Sequence, residues 1–324
     1  MQVAIVGAGA VGGYVGVKLA LAGERVTFLA RGANLEAIRR DGVKLRLADG
    51  AELIARDVQA TADYAAAGPQ DLVILAVKAH QVGAVAAQVA KLCGPGTCVV
   101  TMQNGIPYWY FHRHGGPFEG RGVAAVDPAG ECLRGIPPDR VIGCVVYPAS
   151  VLEAPGVIRH IEGDRFPVGE LDGSSSARVQ AVSRCLTGAG FQAPVLDNIR
   201  AEIWLKLWGN LTFNPISALT RATLADICSF PPTRKLAAAM MTEAQAVAHR
   251  LDITFRVPIE RRIAGAERVG AHKTSMLQDL EAGRTLETEA LLGAVLELAH
   301  LTQTATPTLE AVYALVKLLG RPLE

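Results

Sequence analysis

Lys206, Asn210 and Asn214 recur every four residues through a segment that is otherwise almost wholly apolar, Ile203-Trp204-Leu205-Lys206-Leu207-Trp208-Gly209-Asn210-Leu211-Thr212-Phe213-Asn214-Pro215. At helical spacing the three fall on one face. That face carries one amine and two amides between two tryptophans. Burying such groups costs free energy unless they are paired. A polar ligand is therefore expected there. An ammonium can stabilise growing negative charge and give up a proton, and amides donate hydrogen bonds without adding net charge.

The elements that would position this face begin with the first strand. Val3-Ala4-Ile5-Val6 is a short apolar run, and Gly7-Ala8-Gly9-Ala10-Val11-Gly12 follows at once. Residues 13–22 read as a packed helix that Gly23 ends, and Arg25-Val26-Thr27-Phe28-Leu29 reads as a second strand. Strand, glycine turn, helix, strand is the setting in which a G-x-G-x-x-G run binds a dinucleotide. Gly7 permits the tight turn, Gly9 admits a pyrophosphate, and Gly12 lets helix and strand pack. Ala8, Ala10 and Val11 complete the phosphate loop, and the helix N-terminus offers its N–H groups. An NAD site usually ends the second strand with Asp or Glu. Here Leu29-Ala30-Arg31 ends it with a cation suited to bidentate phosphate contact, so NADP(H) is expected. The alternative for Arg31 is a solvated surface residue.

The parallel sheet continues with Asp71-Leu72-Val73-Ile74-Leu75-Ala76-Val77, apolar throughout as in a sheet covered on both faces. Lys78 follows it, where open α/β sheets place their ligands; a loop lysine is the alternative. Thr97-Cys98-Val99-Val100-Thr101-Met102 is another strand, followed by Gln103-Asn104-Gly105. Asn104 could reach a nicotinamide or a substrate, or form an ordinary Asn-Gly turn. Residues 106–140 read as a long loop in which Tyr108-Trp109-Tyr110-Phe111 either flanks the cleft or makes an oligomer contact. Residues 141–147, 156–160, 166–170 and 191–196 read as further strands. Ser174-Ser175-Ser176 is suited to cap a helix ending near Gly190.

After Asp197 the pattern turns helical, with turns at Pro215, Pro231-Pro232, Pro258, Gly270, Gly283 and Pro307. Amphipathic helices are expected over 233–250 and 287–303. The fold class is α/β. A Rossmann-type doubly wound domain over 1–196 is followed by an all-α domain over 197–324, which would hold substrate and mediate dimerisation, with the active site in the cleft between domains.

Composition narrows the function classes. Of 324 residues, 50% are hydrophobic and the formal net charge is +1, which gives no basic footprint for nucleic acid or an anionic membrane. The six cysteines form no C-x-x-C pair and suit a reducing compartment. His112 and His114 have no third ligand near them in sequence, so no metal is expected. No segment reaches the ~18 uninterrupted apolar residues of a membrane span. The N-terminus lacks a basic region, and Lys18, Glu24 and Arg25 interrupt its apolar run. A cytoplasmic location is expected. The apolar C-terminal helices suggest a homodimer, although core burial accounts for them equally.

Taken in order, these motifs resemble one family. The glycine turn with Arg31, Ala-Val-Lys78, Gln-Asn104-Gly, the Lys206/Asn210/Asn214 stripe, Thr274-Ser275-Met276-Leu277-Gln278-Asp279 and Thr285-Leu286-Glu287-Thr288-Glu289 are together similar to the ketopantoate reductases, or 2-dehydropantoate 2-reductases. The resemblance implies an oxidoreductase that reduces the keto group of 2-dehydropantoate with NADPH, a step of pantothenate synthesis. It implies that Lys206 is the general acid and that Asn210, Asn214 and Ser275 hold substrate. Asn104 would stand where cofactor meets substrate. Lys78, Ala149 and Glu287 would line the cofactor side, with Glu287 also ordering Lys206 and the substrate. Taken singly, Ser275 could be a helix cap, Glu287 a solvated charge and Lys206 a snorkelling side chain. The chain departs from the family in a longer aromatic loop and in residues 220–224, which lack an asparagine that some members give to the substrate. Two alternatives stay open: the same chemistry on another small 2-oxo acid, and an NADP(H)-binding regulatory protein without turnover. Lys206 and Glu287 stand against the second.

Overall fold

The computed structural model describes residues 1–323, which form two compact units. The first comprises Met1–Gln103, Phe111–Arg121 and Ala129–Ile199; the second comprises Asn104–Tyr110, Gly122–Pro128 and the chain from Arg200 onward. The second unit thus takes in two short segments of the region read from sequence as one long loop.

In the first unit the strands are β1 (Gln2–Val6), β2 (Arg25–Leu29), β3 (Val43–Arg46), β4 (Glu52–Ala55), β5 (Gln59–Thr61), β6 (Gln70–Leu75), β7 (Cys93–Thr101), β8 (Val141–Cys144), β9 (Ala149–Ala154), β10 (Val157–Glu162) and β11 (Val168–Gly169). Its helices are α1 (Ala10–Leu21), α2 (Gly32–Asp41), α3 (Tyr64–Ala67), α4 (Val82–Val89), α5 (Glu131–Gly135) and α6 (Ala177–Gly188). Seven strands form a sheet in the order β11-β8-β7-β6-β1-β2-β5. All its pairings are parallel except β11 with β8. From β1 the chain builds outward through β2 and β5, then returns to β6 and builds outward on the other side. The switch point lies between β1 and β6, where open α/β sheets bind their ligands. Ile5 pairs with Phe28 on one side and Ile74 on the other, and all three are fully buried, which explains the unbroken apolar runs of the central strands.

A second sheet, ordered β4-β3-β10-β9, was not visible in the sequence beyond β10. Its strands are short, and β3 pairs in parallel with the distant β10. Helix α1 packs on both sheets. A Cβ on Gly16 would lie 2.4 Å from the Phe28 ring, and one on Gly13 would lie 2.4 Å from Ile158. These two glycines are therefore packing residues, one turn apart on the helix, each leaving room for a side chain of a different sheet. Residues 191–196 form isolated bridges at Gln192 and Val195 rather than a strand. Pro167 and Pro194 offer carbonyls to Val145 and Val168 but have no N–H to return, which breaks the ladder. Ser176 caps α6, its hydroxyl accepting from the Val179 amide.

The second unit is helical: α7 (Ile199–Thr220), α8 (Leu224–Ser229), α9 (Pro231–His249), α10 (Ile259–Val269), α11 (Ser275–Glu281), α12 (Ala294–Leu301) and α13 (Pro307–Gly320), with a π-helical segment over Glu289–Gly293. The expected turn at Pro215 does not occur; the proline lies inside α7. It removes one backbone donor, but its buried neighbours Phe213, Asn214 and Ile216 hold the helix through it. The aromatic run also differs from expectation. Tyr108, Trp109, Tyr110 and Phe111 are all buried, Trp109 at 1% exposure. Tyr110 anchors α7: its hydroxyl accepts from Trp204 Nε1 at 2.7 Å, and its carbonyl accepts from Arg200 Nε at 2.7 Å. Burial pushes the Tyr110 phenol up to about 12, opposed by the Trp204 hydrogen bond. Among the described residues no helix is long and apolar enough to cross a membrane.

Candidate active site

The glycine turn occupies the switch point of the first unit. Gly7 has φ +99, and a Cβ there would lie 2.8 Å from Val77 Cγ1, so the turn sits against the loop that carries Lys78. A Cβ on Gly12 would lie 2.0 Å from the Gly7 carbonyl oxygen. Gly9 differs: a Cβ there meets no atom within 4 Å, so its missing side chain opens onto space beside the start of α1. No side chain caps that helix, and its first turn carries no acid. Ala8, Ala10 and Val11 complete a surface of backbone donors suited to a pyrophosphate. Asn34, outside the sequence motifs, steadies the turn. Its Nδ2 donates to the Ala8 carbonyl at 2.6 Å and its Oδ1 accepts from the Gly156 amide at 2.7 Å.

Arg31 is the extended N-cap residue of α2. It is exposed and forms no ion pair among the described residues. Lys78 is half-buried just before a 3-10 turn, its amide donating to Gln81 Oε1 at 3.2 Å. Gln103 closes the ends of β6 and β7 by donating to the carbonyls of Leu75 and Val77 at 2.7 and 2.9 Å. Ala149 opens β9, opposite Glu162.

The second unit gathers the polar residues of the stripe. Lys206 Nζ donates to Asn104 Oδ1 at 2.6 Å, and Asn104 Nδ2 donates to Glu287 Oε2 at 3.5 Å. The amide therefore bridges an amine and a carboxylate, which fixes which end carries oxygen. Lys206 and Asn210 are half-buried, whereas Asn214 is 5% exposed. Asn214 Nδ2 donates to Ser275 Oγ at 3.3 Å. Thr274, not Ser275, caps α11, accepting from the Leu277 amide. The Ser275 hydroxyl is thereby left to face Asn214 and solvent. The Asn210 amide has no hydrogen-bond partner among the described residues, so its donors remain available to a ligand. Trp204 and Trp208 are fully buried behind this face; Trp208 Nε1 donates to the Met241 carbonyl at 2.8 Å and its ring packs 4.1 Å from that of Phe255.

Gly105 sets the position of Asn104. It has φ +87, and a Cβ there would lie 2.2 Å from the Ala290 carbonyl oxygen. The same carbonyl accepts from the Ile106 amide at 3.0 Å. Only glycine fits a left-handed turn pressed this closely on the π-helical segment.

Residues 3–173 match the family model described as Ketopantoate reductase PanE/ApbA, and residues 198–320 match its C-terminal counterpart. The chain belongs to the ketopantoate reductase family. It is 54% identical over 321 residues to a 2-dehydropantoate 2-reductase of Mesorhizobium japonicum, covering 99% of this chain and 98% of that one. The structure of a candidate ketopantoate reductase from Ralstonia solanacearum superposes with a TM-score of 0.95 at 43% identity, covering 99% of this chain and 98% of that one. A ternary structure of D-mandelate dehydrogenase with NADH and anilino(oxo)acetate shares the fold, with a TM-score of 0.85 at 22% identity over 100% of this chain and 99% of that one.

Against this ketopantoate reductase background, the motif residues fall into separate groups. Lys206, Asn104 and Glu287 meet directly, and Asn214 meets Ser275. Gly7 to Gly12, Arg31, Lys78 and Ala149 lie in the other unit. His112 is engaged by Asp139 at 3.1 Å, and the His114 ring packs 5.3 Å from Phe111. Among the described residues no group of His, Cys, Asp and Glu is arranged to hold a metal ion.

Proposed function

We propose that this protein reduces 2-dehydropantoate to pantoate with NADPH, in the cytoplasm, as a step of pantothenate synthesis. The observation that carries the reading is the bridge from Lys206 through Asn104 to Glu287, in a chain of this family. An amine held by a neutral amide suits carbonyl reduction, since it can stabilise charge on the keto oxygen and then give up a proton.

The residues present fit a dinucleotide. The space above Gly9, the uncapped start of α1 and the exposed guanidinium of Arg31 suit a pyrophosphate and a ribose 2′-phosphate. When bound, NADPH supplies a hydride to the keto carbon. As charge grows on the keto oxygen, the Lys206 ammonium stabilises it and then donates a proton to give the alcohol. Asn104 holds that ammonium by accepting from it, so the amine needs little reorganisation during reaction. Glu287 holds the far end of the same amide and orders Lys206 and the substrate. Asn210, Asn214 and Ser275 offer uncharged donors for the carboxylate and hydroxyl of a small hydroxylated acid. Lys78 and Ala149 line the cofactor side.

The burial of residues 108–111 bears on substrate choice. Their rings belong to the core and give no ground for a reshaped pocket. A homodimer is part of the proposal: Leu315 and Leu318 on α13 are 55% and 67% exposed, and a dimeric ketopantoate reductase of Staphylococcus aureus shares the fold at 22% identity. The test is a panel of 2-oxo acids assayed for NADPH and NADH oxidation. We expect 2-dehydropantoate with NADPH to have the highest kcat/KM. Rapid turnover of another acid, with 2-dehydropantoate inert, would overturn the substrate assignment.

A further inference from the structure

We infer that Glu289, Tyr313 and Lys317 form a brace that positions the Lys206–Asn104–Glu287 bridge; the inference rests on the catalytic reading of that bridge given above. The brace acts through the π-helical segment. Glu287 stands two residues before Glu289, where the π-helix begins. On the other side, the Ala290 carbonyl takes the Ile106 amide and presses on Gly105, so the turn carrying Asn104 follows this segment. Both ends of the Asn104–Glu287 contact thus depend on where the segment sits. An isolated π-helical turn is less favourable than α-helix and persists where surrounding contacts hold it.

Those contacts come from α13. The Tyr313 hydroxyl lies 3.0 and 3.2 Å from the two Glu289 carboxylate oxygens, and Lys317 Nζ lies 2.9 Å from Oε1. Tyr313 and Lys317 are four residues apart and share a helical face. Gly293 makes room for the carboxylate, since a Cβ there would lie 2.2 Å from Glu289 Oε2. Upstream, the Thr285 hydroxyl donates to the Leu323 carbonyl at 2.9 Å, and Leu286 lies 3.6 Å from the position of a Gly320 Cβ. Helix α13 and the residues just after it therefore hold residues 285–293 at both ends. Glu289, Tyr313 and Lys317 are positioning residues, with no assigned contact to substrate or cofactor.

The test is a cycle of four proteins: wild type, Tyr313→Phe, Glu287→Gln and the double variant. The rate of hydride transfer would be followed by NADPH absorbance with enzyme in excess, alongside thermal unfolding. Tyr313→Phe is expected to lower the rate about 10-fold, a sub-ångström misplacement being enough for this, with NADPH affinity unchanged. In the Glu287→Gln background the same change should cost less than about 2-fold, because the carboxylate–amide contact whose two ends it aligns is gone. Losses that multiply, or a Tyr313→Phe rate equal to wild type, would overturn the brace. A Glu287→Gln rate equal to wild type would instead overturn the catalytic reading. Lys317→Met keeps both tyrosine contacts and removes a part-exposed ion pair, so it tests the brace with little risk to folding. It should show the same dependence on Glu287 with a smaller loss.

Discussion

At the scale of single residues, the site is built from side chains that would each be ordinary alone. A lysine on an apolar helix can snorkel, and an Asn-Gly pair can be a turn. The hydrogen bond from Lys206 to Asn104 replaces both ordinary explanations with a shared one. Polar types spaced against an apolar background made Lys206, Asn210 and Asn214 candidates and a strand end made Asn104 one, whereas Ser275 and Glu287 were candidates only through the family resemblance. Glu289 and Gly105 carried no such signal as site residues: their importance lies in contacts with Tyr313 and Ala290, far away in the chain. Arg31 is read by position alone, at the end of β2. Its replacement by alanine should weaken NADPH binding about 10- to 100-fold, the range of a lost charge-assisted contact, and leave NADH binding unchanged. Equilibrium titration of both cofactors measures this; an unaltered preference removes Arg31 from the 2′-phosphate.

At the scale of elements, α1 shows why one motif contains glycines of different purpose. Gly7 and Gly12 are demanded by the protein's own backbone, Gly13 and Gly16 by the two sheets, and Gly9 by none of these. A paired experiment follows. Gly9→Ala should fold as stably as wild type yet bind NADPH at least about 10-fold more weakly, because the methyl group would occupy the pyrophosphate's place. Gly12→Ala should destabilise the fold by about 1–3 kcal/mol or more through overpacking. Thermal unfolding with and without NADPH separates the two effects, and equal loss of stability in both variants would contradict the assignment. The central strands were legible because full burial leaves continuous apolar runs. The second sheet was not, because strands as short as Val43–Arg46 carry too few residues for a clear period and find partners far along the chain. Helix α7 was misread at Pro215, where the packing of Phe213 and Ile216 outweighs the local preference for a turn.

At the scale of the whole molecule, the chain divides its labour between two compact units. One carries the glycine turn and Arg31; the other carries Lys206, Asn104 and Glu287. The change of pattern after Asp197 is the sequence signal for a helical region, and the chain from Arg200 onward lies in the second unit. The contribution of residues 104–110 and 122–128 to the second unit was not legible, since a loop's sequence does not declare which core its rings enter. Trp109 and Tyr110 are core residues although their segment follows a strand of the sheet. The residues proposed to hold the cofactor belong to the first unit and the proposed proton donor belongs to the second. A variant confined to the second unit therefore separates catalysis from cofactor binding. The decisive measurement is hydride transfer from NADPH to 2-dehydropantoate by wild type and Lys206→Ala under single-turnover conditions. We predict a rate at least about 100-fold lower in the variant, the usual scale for losing a general acid that also stabilises charge, with NADPH affinity within about 2-fold of wild type. Equal rates in the two proteins would contradict the account.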